Sequence, residues 1–93
     1  MEKQVHTLLN DYLNTFINVL GICEPTDSMF IGSSLVATWR SANITLNMTI
    51  FPSGNYEGFI RYLRAGTSLE VKGSVSKKDY QVELYRVISE LCR

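Results

Sequence analysis

Residues 44–62 read ITLNMTIFPSGNYEGFIRY, and the rest of the chain arranges itself around them. Ile44, Leu46, Met48 and Ile50 alternate with Thr45, Asn47 and Thr49, the period-two pattern of a strand with one buried face and one wet face. Phe51-Pro52-Ser53-Gly54-Asn55 then turns the chain. Pro52 presets the first central φ of a type I turn, and Gly54 supplies the left-handed position that closes a bulged hairpin. With Phe51 opposite Asn55, Ile50 faces Tyr56, Met48 faces Gly58, Leu46 faces Ile60 and Ile44 faces Tyr62. Aliphatic side chains gather on one side of this hairpin. Glu57, Phe59 and Arg61 join Thr45, Asn47 and Thr49 on the other.

The same period extends outward in both directions. Upstream, Leu35, Ala37 and Trp39 alternate with Val36, Thr38 and Arg40, and a tight turn near Ser41-Ala42 leads into the hairpin. Downstream, a turn at Arg64–Thr67 leads to a strand at 68–74. Pairing Tyr62 with Leu69 and Ile60 with Val71 keeps apolar residues together there and sets Arg61 opposite Glu70, with Lys72 on the same wet face. Residues 22–34, ICEPTDSMFIGSS, carry loop formers around the apolar triplet Met29-Phe30-Ile31. That triplet reads as a lid on the core, a short edge strand or an exposed anchor for a partner.

A helix is expected at each end. Over residues 2–20, Val5, Leu8, Leu9, Tyr12, Leu13, Phe16, Ile17 and Leu20 recur at three- and four-residue steps. Gly21 suits the C-terminal cap, and Pro25 blocks continuation. Ser76, with Asp79 three residues on, reads as the N-cap of a second helix reaching about Leu91, its stripe formed by Tyr80, Leu84, Val87, Ile88 and Leu91. The expectation is one α+β domain over residues 1–93: helix, four-stranded antiparallel meander, helix, with both helices on one face of the sheet.

Composition narrows the function classes. Lys plus Arg equal Asp plus Glu at 9 each, which argues against nucleic acid, whose binders are usually basic. No run reaches the ~18 apolar residues of a membrane helix. Asn10, Asp11, Asn14 and Asn18 interrupt the apolar residues near the start, so this stretch does not read as a signal peptide. The chain reads as cytoplasmic, with Cys23 and Cys92 as reduced thiols, a bridge between them being the alternative. The single histidine, His6, reads as a solvated helix residue, and no metal-ligand spacing, cofactor motif or catalytic set is present. Asn43-Ile44-Thr45 and Asn47-Met48-Thr49 match the glycosylation pattern because Asn and Thr alternate on a polar strand face.

The helix–meander–helix plan resembles that of small accessory proteins of bacteria, phages and plasmids, among them inhibitors, immunity proteins and anti-CRISPR proteins. The resemblance is one of architecture. With no catalytic set, a complete small core and leftover apolar groups at Met29, Phe30, Ile31 and Phe59, the expected role is that of a non-enzymatic protein-binding module acting on a larger protein partner. The candidate partner-binding residues are Met29, Phe30, Ile31, Arg40, Phe59, Arg61 and Lys72. Two other readings compete: single-stranded nucleic-acid binding by the open sheet face, and a small-ligand pocket lined by Tyr12, Trp39, Tyr62 and Tyr80. A homodimer through a strand edge or the open face is compatible with the near-neutral surface.

Overall fold

The computed structural model describes residues 2–77 and 80–92. In chain order they form α1 (Glu2–Leu20), β1 (Asp27–Ile31), β2 (Ser34–Arg40), β3 (Ile44–Ile50), β4 (Asn55–Tyr62), β5 (Thr67–Ser74), a 3₁₀ turn at Val75–Lys77 and α2 (Val82–Leu91). The strands make one antiparallel sheet in sequential order. The fold is α+β as expected, with five strands where four were expected. The additional strand is the Met29–Ile31 segment, which pairs with β2 through Asp27↔Thr38, Met29↔Val36 and Ile31↔Ser34. Its three consecutive apolar residues hide the alternation, and the Gly32-Ser33 turn brings it back onto β2.

The central hairpin has the expected register, from Ile44↔Tyr62 to Ile50↔Tyr56. The next pairing differs by two residues. Tyr62 faces Thr67, Ile60 faces Leu69, Gly58 faces Val71, and Arg61 faces Ser68 instead of Glu70. A short loop sets this register, closed by the Gly66 N–H donating to the Tyr62 carbonyl at 2.9 Å. Size complementarity supports it: Val71 fills the space opposite Gly58, and Gly73 lies opposite Tyr56. A two-residue shift preserves which face each side chain occupies.

One face of the sheet is covered by both helices. Leu9, Leu13, Phe16 and Leu20 of α1, with Leu84, Val87 and Leu91 of α2, join Leu35, Ala37, Trp39, Leu46, Met48, Ile50, Ile60 and Val71 in a single buried cluster. Phe16 lies at its centre, edge-on to Tyr56 at 5.5 Å and to Tyr80 at 5.1 Å, and tilted against Trp39 at 6.1 Å. Trp39 and Tyr80, considered above as pocket-lining residues, are buried in this cluster, and Tyr12 and Tyr62 pack against its margin. Burial raises the Tyr80 hydroxyl above its ordinary value of about 10, with Tyr85 adding to the effect. Above that pH the unfolded chain releases the proton before the folded chain does. Stability is therefore expected to fall as pH rises past about 10, and denaturant midpoints measured on either side of that value check it. A Tyr80→Phe chain should lose this part of the alkaline decline.

Three local expectations are corrected. First, α2 starts at Val82 with Gln81 at its N-cap, not at Ser76. The Ser76 hydroxyl lies 3.0 Å from that of Ser74 instead, and Asp79 falls outside the described residues. Second, His6 is half-buried and stacks on Phe30 at 3.8 Å with rings 13° from parallel, pinning β1 to the underside of α1. Third, Cys23 and Cys92 form a disulfide, their Cα atoms 5.5 Å apart. It ties the segment after α1 to the end of α2, and the buried Trp39 indole N–H donates to the Cys23 carbonyl at 2.8 Å, holding that segment in place.

Candidate interaction surfaces

Strand alternation and register place a defined set of side chains on the face the helices leave uncovered. Asp27, Thr38, Asn47, Phe59 and Glu70 form one row across the five strands. Met29, Val36, Thr49, Glu57 and Lys72 form the next, and Arg40, Thr45, Arg61 and Ser68 run on the other side. Phe59 retains 47% of its surface, far from the near-zero values of the covered face. Beside it is a shallow depression of about 180 Å³ lined by Asn47, Thr49, Glu57, Gly58 and Glu70. An aromatic ring next to two carboxylates suits a cationic side chain from a partner, which the ring face also attracts.

The charges on this face differ in their freedom. Arg40 forms an ion pair with Asp27, and its backbone N–H donates to the Thr26 hydroxyl. Lys72 approaches Glu70 only to 3.9 Å with both side chains largely in water. A pair of that kind contributes at most ~1 kcal/mol, so it would yield to a partner.

Met29, Ile31, Arg40, Phe59, Arg61 and Lys72 thus share one face, while Phe30 is directed to the helix side and meets His6. Reasoning from sequence missed Asp27, whose carboxylate engages Arg40, and set Glu70 on this face opposite Arg61, whereas it lies opposite Phe59. The Gly58/Val71 and Tyr56/Gly73 size complementarity was the available signal for the second.

The two sheet edges are unequal. On β5, Glu70 and Lys72 are charged, and the Lys72 N–H is taken by the Gln81 side-chain oxygen at 2.9 Å. These are devices that discourage strand addition. On β1 all five residues are exposed. Met29 keeps 59% and Ile31 57% of their surface.

Among the described residues no group of His, Cys, Asp and Glu is placed to hold a metal ion, and no helix is long and apolar enough to cross a membrane. Comparison with protein-family models, curated proteins and solved structures finds no match.

Proposed function

We propose that the chain is a non-enzymatic protein-binding module, acting as small inhibitors, immunity or antitoxin-like factors and anti-CRISPR-like accessory proteins do, by occupying a surface of a larger protein. The observation that carries this reading is Phe59, an exposed aromatic on an uncovered sheet face, bordered by Arg61, Lys72 and a carboxylate-lined depression. Aromatic residues and Arg are enriched among the few interface positions that hold most of the binding energy. The partner segment that fits presents a Lys or Arg beside an apolar group. Cytoplasmic action belongs to the same proposal. It sets the condition that the fold stands with Cys23 and Cys92 as thiols, because that compartment keeps such pairs reduced.

Phe59→Ala is expected to weaken capture of the partner by ~30-fold, the scale of an interface anchor worth about 2 kcal/mol. Phe30→Ala, on the other side of the sheet, should leave capture unchanged. Titration of the partner against each variant measures both. Equal affinity of Phe59→Ala and wild type would remove the proposed anchor. Single-stranded nucleic acid is less well served by this face. Asp27, Glu57 and Glu70 offset Arg40, Arg61 and Lys72, and Phe59 is the one aromatic among its strand residues, where stacking platforms use two or three.

A further inference from the structure

The outer edge of β1 has a pattern that matches itself. The Arg40 N–H reaches the Thr26 hydroxyl on the β1 side of β2, while the Ser41 N–H reaches the Ile44 carbonyl on the β3 side. Backbone groups alternate sides along an antiparallel strand, so those of Ser34, Val36 and Thr38 turn toward β1 and meet Ile31, Met29 and Asp27. Ser28 and Phe30 then present their N–H and C=O groups away from the sheet.

We propose that β1 pairs antiparallel with β1 of a second copy of this chain, about a two-fold axis at Met29, joining two five-stranded sheets into one. In that register Ser28 faces Phe30 of the second copy, and Phe30 faces its Ser28. Each such pair exchanges two N–H···O=C bonds, so every outward backbone group of both strands is satisfied. The side chains agree with the backbone. On the uncovered face Met29 meets Met29 of the second copy, a directly opposed pair whose Cβ atoms come within ~5 Å. On the helix face the small Ser28 lies beside the large Phe30, and the two Phe30 rings become diagonal neighbours. The strand's one charge, Asp27, is already paired with Arg40 and falls at the far end of the ladder from its symmetry mate. The three apolar side chains that β1 exposes, Met29, Phe30 and Ile31, are covered in one step. The opposite edge cannot do the same, because Gln81 occupies the Lys72 N–H there. This contact uses a strand edge and stands whether or not Phe59 anchors a different protein.

Sedimentation equilibrium of the wild-type chain is expected to give twice the single-chain mass of 10.6 kDa. Met29→Lys and Met29→Glu each place like charges across the axis and should weaken the dimer at least ~10-fold. Mixing the two should restore a dimer containing one of each. Ser28→Pro removes an N–H that the single chain's own ladder does not use, and should also give single-chain mass with an unchanged circular dichroism spectrum. A wild-type chain that stays at single-chain mass into the submillimolar range overturns the proposal. So does a Met29→Lys dimer as tight as wild type, or a Lys/Glu mixture that stays dissociated.

Discussion

Gly58→Ala is expected to cost at least ~3 kcal/mol of folding stability, read as a lowered denaturant midpoint at unchanged slope. A Cβ at this position would overlap the Asn47 carbonyl oxygen and lie 2.8 Å from Met48 Cα and 2.9 Å from the Asn47 carbonyl carbon. All three atoms are backbone, so no side chain can rotate to make room. Relief comes only from opening the β3–β4 ladder, which carries Leu46, Met48 and Ile50 into the core. Gly54→Ala provides the contrast. Gly54 has φ +90°, but the nearest atom to a Cβ there is Tyr12 Cζ at 3.5 Å, an ordinary contact. Its cost is therefore backbone strain alone, of order 1–2 kcal/mol. Equal losses at the two glycines would contradict the close approach at Gly58. For a domain expected to hold ~5–14 kcal/mol in total, the larger loss is a substantial share.

Breaking the Cys23–Cys92 bridge has an effect of similar size. The bridged residues are 69 positions apart, so the bond closes most of the chain into one loop. In the chain-entropy model this constrains the unfolded state by about 4 kcal/mol. Reduction, or Cys23→Ser with Cys92→Ser, is expected to lower stability by about that amount and Tm by roughly 20 °C. Thermal melts of the oxidised, reduced and doubly substituted chains check it, and the last two should agree. The loss should be felt first at the C-terminal end of α2, where the bridge is attached, as faster amide exchange. Identical melts with and without reductant would mean that the bridge contributes nothing to folding.

How far the structure could be read from sequence depended on the range of the signal. The alternation in Ile44–Ile50 and the Pro52–Gly54 turn are local, and they specified the central hairpin to the residue. Most of the α1 stripe was legible too: Leu9, Leu13, Phe16 and Leu20 reach the core and Val5, Tyr12 and Ile17 pack against it, whereas Leu8, expected in the stripe, stays exposed. The β4–β5 register failed because like was paired with like: Tyr62 with Leu69 and Ile60 with Val71. The folded sheet instead sets large against small, Tyr56 against Gly73 and Val71 against Gly58. Facing survived because the shift was even, which is why Phe59 and Arg61 still point away from the helices. β1 was obscured by Pro25, Asp27, Ser28 and Gly32, and its identity as a strand depends on a neighbour that local pattern does not show. The contact of His6 with Phe30 and the bond between Cys23 and Cys92 join residues far apart in sequence, beyond the reach of any periodicity.

Whether the uncovered sheet face is where the chain meets its partner can be decided by site-specific photo-crosslinking in cells of its source. A photoreactive residue is placed at position 59 in one variant and at position 85 in another, where Tyr85 of α2 is 47% exposed. The expected result is an adduct with one discrete larger protein at 59, suppressed by excess wild-type chain, and none at 85. An adduct at 85 with position 59 silent would put the working surface on the helices and contradict the reading.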